Sequence, residues 1–127
     1  MPLYHVWWTT KRRQWILEGE LEEFVKQTIW QVAERNGIEL LECETMIDHV
    51  HALIRANDRP ALSRAMNYLK GTTARRVFAT MPELKLDMHS DHLWQHRYGC
   101  KPVEEGAARA VRAYIRTQKE RPEKYAG

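Results

Sequence analysis

Ile38-Glu39-Leu40-Leu41-Glu42-Cys43-Glu44-Thr45-Met46-Ile47-Asp48-His49-Val50-His51-Ala52-Leu53-Ile54-Arg55 is the stretch that decides the fold of this chain. Ile38 to Thr45 and Ile47 to Arg55 each read as a β-strand. The break between them is short enough for an antiparallel hairpin. Side chains two apart on a strand point to the same face. His49 and His51 therefore project together, and Val50, Ala52 and Ile54 project to the opposite face. The Val50 face suits packing against helices, which leaves the histidine face for a site. Two neighbouring imidazoles can chelate one divalent metal. Two half-exposed histidines on a sheet face are the plainer alternative. By the same alternation Asp48 points away from His49 and is no obvious ligand.

Outward from the hairpin, Tyr4-His5-Val6-Trp7-Trp8-Thr9 is aromatic and β-branched and reads as a first strand, followed by a basic turn at Lys11-Arg12-Arg13. Glu18 to Asn36 reads as a helix with Leu21, Val25, Thr28, Ile29 and Val32 on one stripe, and Asn36-Gly37 as its stop. Asn57-Asp58-Arg59-Pro60 opens a second helix, with Asp58 as a cap. Leu62, Met66, Leu69, Thr73 and Val77 form its buried stripe, and Gly71 invites a kink or a close approach. Met81-Pro82 ends it. After a looser stretch, His92-Leu93-Trp94-Gln95-His96 reads as a short strand. Glu104 to Gln118 reads as a last helix, stopped by Pro122. The order β-α-β-β-α-β-α predicts an α+β, ferredoxin-like (RRM-like) antiparallel sheet with helices on one face, plus a C-terminal helix.

The length of 127 residues suits a single domain spanning 1–127. No apolar run is long enough to cross a bilayer, and the N-terminus lacks the pattern of a signal peptide, so a cytoplasmic location is expected. Cys43 and Cys100 form neither a disulfide framework nor a Cys-x-x-Cys pair. The net charge of +3 is unevenly placed. Residues 1–58 carry 6 Lys and Arg against 10 Asp and Glu, whereas residues 59–127 carry 14 against 7. The basic C-terminal half suits a polyanion such as nucleic acid, or equally a solvated helical surface.

The last helix holds Tyr114 and Gln118, four apart and so on one face. Taken with the histidine pair, they carry a resemblance. Asp48-His49-Val50-His51, then Tyr68-Leu69-Lys70-Gly71-Thr72-Thr73-Ala74-Arg75-Arg76, then Tyr114-Ile115-Arg116-Thr117-Gln118 resembles the HUH single-tyrosine transposases of the insertion sequence 200/605 type. Tyr4 to Lys11 and His92-Leu93-Trp94 also match that pattern, so the resemblance spans nearly the whole chain, in order. It implies the ferredoxin-like fold, a homodimer, and a magnesium or manganese ion held by His49, His51 and Gln118. It implies that Tyr114 is the nucleophile that cuts single-stranded DNA, with a hairpin beside the cut as a candidate recognition element. The product would be a 5′-phosphotyrosine and a free 3′-hydroxyl, with no ATP required. A phenol has a pKa of about 10 and attacks poorly unaided, so a Lewis acid at the phosphate is what this chemistry needs.

Arg64, Lys70, Arg75 and Arg76 on the second helix, and Arg109, Arg112 and Arg116 on the last, are candidate phosphate contacts. Trp7, Trp8 and Trp94 could stack on bases, but sheet core is the preferred reading for all three. Three other functions compete. A domesticated, REP-associated relative would keep the fold and DNA binding without mobility. His89, His92 and His96 with Cys100 would make a non-catalytic zinc and nucleic-acid-binding module. An RRM-like RNA binder would need an aromatic signature on the sheet that is not evident.

Overall fold

A computed structural model of the chain describes residues 1–120. Its strands are β1 (Leu3–Thr9), β2 (Glu39–Thr45), β3 (His49–Arg55) and β4 (Gly99–Val103). Its helices are α1 (Gly19–Arg35), α2 (Arg59–Thr80), the short α3 (Leu84–Met88) and α4 (Ala108–Arg116). The sheet order is β2-β3-β1-β4, and every pairing is antiparallel. That is the order of a ferredoxin-like sheet, as the element pattern predicts.

Period-two alternation divides the sheet into two faces. Tyr4, Val6, Trp8, Val50, Ala52 and Ile54 are buried in the main core with Val25, Ile29 and Val32 of α1 and Leu62, Met66, Leu69 and Val77 of α2. Both long helices end where the sequence says. Gly37 takes φ of +64°, which favours glycine, and Asn36 Nδ2 donates to the Val32 carbonyl at 2.8 Å. Asp58 caps α2 by accepting from the Ala61 N–H at 2.8 Å. The stripe expected on α2 is buried at all five positions, and the helix runs unbroken through Gly71.

The other face carries a smaller cluster. Leu3 of β1, Leu53 of β3 and Ile115 of α4 are buried together, flanked by Leu41, Val103, Ala108, Val111 and Tyr114. The tyrosine helix therefore lies on the histidine side of the sheet, opposite α1 and α2. It is shorter than the sequence suggests. A 3₁₀ turn (Glu105–Ala107) leads into it and another (Gln118–Glu120) follows it. Pro122 lies outside the described residues.

The fourth strand differs from the sequence reading. Segment 92–96 makes only an isolated bridge, Trp94 to Thr10, beside the end of β1. The edge strand is Gly99–Val103, paired with Leu3–Trp7. Gly99 and Pro102 hide it, because both residues ordinarily mark turns. Proline is tolerated here because an edge strand can leave one side of its ladder unpaired.

Candidate active site

His49 and His51 point to the α4 face, with ring centroids 4.9 Å apart. Each is held through Nδ1. His49 Nδ1 lies 2.7 Å from Asp48 Oδ1, and His51 Nδ1 lies 3.0 Å from His5 Nε2. The Asp48 carboxylate accepts from His49 Nδ1, which leaves His49 Nε2 available as a metal ligand, and the contact with His5 orients the His51 ring.

Asp48 owes its position to its surroundings. It precedes β3, in the turn where the Met46 N–H donates to the His49 carbonyl at 2.7 Å. The Asp48 carbonyl accepts from the Thr10 N–H at 2.9 Å, and the Ile47 carbonyl accepts from the Leu17 N–H at 2.9 Å. The basic turn expected at 11–13 is a 3₁₀ turn in which Arg12 and Arg13 take φ of 56° and 53°. Left-handed backbone is uncommon for arginine. Here it lets Arg12 donate to the Met88 carbonyl at 2.7 Å and Arg13 Nε to Asp48 Oδ2 at 3.1 Å. The turn thus braces the carboxylate that orients His49.

Tyr114 faces the same site. Its ring centroid is 6.4 Å from His51 and 6.1 Å from His5, edge-on to both. These three rings line a cavity of about 630 Å³ that also includes Trp7, Lys101, Pro102, Val103 and Val111. The pKa of His5 is lowered, first by burial and then by the charge of Lys101, so His5 favours its neutral form. Gln118 is not among the lining residues. It is buried one turn beyond Tyr114, and its Nε2 donates to the Tyr114 carbonyl at 2.9 Å. Lys119 bonds Glu22 and lies 3.8 Å from Glu44, tying this turn to α1 and β2. The chain thus brings His49, His51 and Tyr114 to one face, with Gln118 one turn beyond Tyr114 just after α4.

Two imidazoles and an amide oxygen are a neutral donor set that suits a divalent cation. Among the described residues no group of three or more His, Cys, Asp or Glu is arranged to hold a metal. His89, His92, His96 and Cys100 therefore do not assemble as the zinc reading requires.

The cationic candidates divide. Lys70 Nζ donates to the carbonyls of Gln95, His96 and Arg97 at 2.8–3.1 Å, and burial pulls its pKa down to about 8. Arg116 pairs with Glu42 at 3.1 Å, and Arg112 lies 3.8 Å from the same carboxylate. Arg75 bonds Thr72, and Arg76 bonds Gln31. Arg64, Arg75 and Arg109 are exposed. Trp8 and Trp94 are core, as expected, but Trp7 is 36% exposed on the site face. Sequence reasoning missed His5 and Lys101, and it weighed Trp7 as a base-stacking residue but preferred it as core. The odd-numbered positions of β1 were the available signal, because they share the face of His49 and His51.

Residues 2–118 match the family described as transposase, IS200-like. The chain is 35% identical over 115 residues to the ISDra2 transposase TnpA of Deinococcus radiodurans, covering 91% of this chain and 82% of that protein. It is 26% identical over 117 residues to the transposase for insertion sequence element IS200 of Salmonella typhimurium, covering 92% and 76%. Among solved structures, a Deinococcus radiodurans protein described as a transposase aligns with a TM-score of 0.73 at 33% identity, covering 93% and 92%. A REP-associated tyrosine transposase bound to a REP hairpin shares the fold, with a TM-score of 0.66 at 13% identity, covering 98% and 68%.

Proposed function

The chain belongs to the IS200-like transposase family, and from that membership we propose that it cuts and rejoins single-stranded DNA through Tyr114 at a metal site built on His49 and His51. The observation that carries this reading is the convergence of Tyr114 and His51 on one cavity, with both histidines held through Nδ1.

His49 and His51 would hold a magnesium or manganese ion, with Gln118 as the third protein ligand. When bound, such an ion would supply Lewis acidity at the phosphate and offset the charge that grows in the transition state. Asp48 fixes the His49 tautomer, and His5 orients the His51 ring. The Tyr114 hydroxyl oxygen attacks phosphorus and forms a P–O bond as its proton passes to solvent. The bond from phosphorus to the 3′-oxygen breaks, and that oxygen leaves and takes up a proton. The 5′-phosphotyrosine conserves the ester, so a 3′-hydroxyl can reverse the step and rejoin strands. Only an unpaired strand gives its phosphate this access, and a hairpin beside the cut would mark the position. Arg64, Arg75, Arg76 and Arg109 are the preferred backbone contacts. The working form is a homodimer.

The test incubates the protein with end-labelled single-stranded DNA and manganese, then resolves denaturation-resistant adducts. Wild type forms the adduct, Tyr114→Phe does not, and His49→Ala loses metal-dependent cutting. An adduct formed by Tyr114→Phe overturns the nucleophile, and undiminished cutting by His49→Ala overturns the metal site.

A further inference from the structure

Trp7 is the one large aromatic side chain of β1 that the core does not absorb. Its neighbour Trp8 is 1% exposed on the opposite face, whereas Trp7 is 36% exposed in the cavity that holds Tyr114 and His51. The sheet register makes Trp7 the direct cross-strand partner of His51 on one side and Gly99 on the other. Directly opposed side chains on a sheet sit about 4.5–5.5 Å apart at Cβ.

Gly99 makes room for the indole. A Cβ at that position would fall 2.2–2.5 Å from three atoms of the Trp7 ring. The ring lies across the edge strand where any other residue would displace it. The His5 ring meets it edge-on at 5.2 Å. The platform is therefore held in place before any ligand arrives, which lowers the ordering cost of binding.

The rest of the lining sets the polarity of the occupant. Pro102, Val103 and Val111 are apolar walls. Lys101 is opposite His5 in the register and supplies a cation, while Glu104 is the acidic member of the lining. An anionic backbone is drawn to the Lys101 side and repelled from Glu104, and a flat apolar ring is received between them.

We propose that this cavity is a nucleobase subsite, in which the base next to the scissile phosphate stacks on Trp7 while its backbone lies toward Lys101 and His51. The proposal rests on the single-strand reading above and adds a residue that positions the substrate without taking part in bond breaking. Stacking is indifferent to base identity, because every base has a π-face. The subsite therefore holds the strand in place and leaves sequence choice to other contacts.

The test measures binding of two fluorescein-labelled 12-mers, dT12 and an abasic chain of the same length, by anisotropy in the Tyr114→Phe background. The parent binds dT12 about tenfold or more tighter than the abasic chain. Trp7→Ala loses that preference by weakening dT12 alone, and Trp7→Phe keeps most of it with an unchanged melting temperature. Lys101→Gln weakens both probes together and lowers the salt dependence by about one phosphate contact. Trp7→Ala binding dT12 like the parent, or losing both probes equally, overturns the subsite while leaving strand cleavage intact. A parent that binds neither probe, and forms no adduct in the wild-type background, overturns the single-strand reading itself and the subsite with it.

Discussion

Replacing Ile115 by alanine should undock the tyrosine helix while the main core stays folded. Ile115 is the one buried residue of α4, and it fills the small cluster with Leu3 and Leu53. The substitution removes three carbons, worth about 0.8 kcal/mol each in transfer, or about 2.4 kcal/mol in all. The residual cavity adds to this, giving about 3 kcal/mol within a usual range of about 2–5 kcal/mol. The contacts that remain are partly buried or at the surface: Val111 and Tyr114 at the edge of the cluster, and Lys119 paired with Glu22. A nine-residue helix is too short to persist alone. The pairs from Arg112 and Arg116 to Glu42 are surface contacts, each worth about 0.2–1 kcal/mol. A change of about 3 kcal/mol shifts the docking equilibrium more than about a hundredfold. Hydrogen exchange read by mass spectrometry should show amides 108–118 exchanging faster by about that factor, with α1 and β3 protected as before. Adduct formation through Tyr114 should fall in step. Unchanged protection of α4, or equal acceleration across the whole chain, would refute the reasoning.

Asp48→Asn should weaken manganese binding by about 10–100-fold in calorimetry with the fold intact, because the carboxylate that orients His49 is lost. A full-strength site in that variant would separate Asp48 from the metal. Lys70→Met should destabilise the protein by about 1–3 kcal/mol in urea melts, because three carbonyls of segment 95–97 lose their donor. If instead stability holds and only DNA affinity drops, Lys70 is a phosphate contact first. Iodoacetamide at pH 8.5 should label Cys100 and spare Cys43 until the protein unfolds. Burial pushes the Cys43 thiol up to about 12, with Glu44 adding to it, so its reactive thiolate is scarce. Equal labelling of both thiols in the native state would contradict the packing of β2.

What the sequence made legible follows from periodicity. The hairpin, both long helices and the shared face of His49 and His51 come from patterns of two and of 3.6 that local chemistry enforces. What it concealed depends on residues brought together from afar. Strand β4 was masked because Gly99 and Pro102 look like turn residues until β1 pairs with them. Gly99 is required by Trp7, a contact across 92 positions that no local pattern announces. Asp48 looked misdirected because alternation holds only inside a strand, and Asp48 lies before β3 begins. Freed from that rule, its side chain turns back to His49 and Arg13. Lys70 read as a phosphate contact because charge is visible in sequence and its three carbonyl acceptors are not. The placement of α4 opposite α1 and α2 rested on Leu3, Leu53 and Ile115, which are widely separated along the chain.

The most direct trial of the central claim is to find the atom that DNA becomes attached to. Wild-type protein is incubated with manganese and a single strand it cuts, then digested with trypsin and nuclease and sequenced by mass spectrometry. The account predicts that the nucleotide's 5′-phosphate is carried by the peptide Ala113-Tyr114-Ile115-Arg116, on the tyrosine oxygen. Attachment to any other residue, or strands cut with no protein-bound nucleotide at any time, would contradict it.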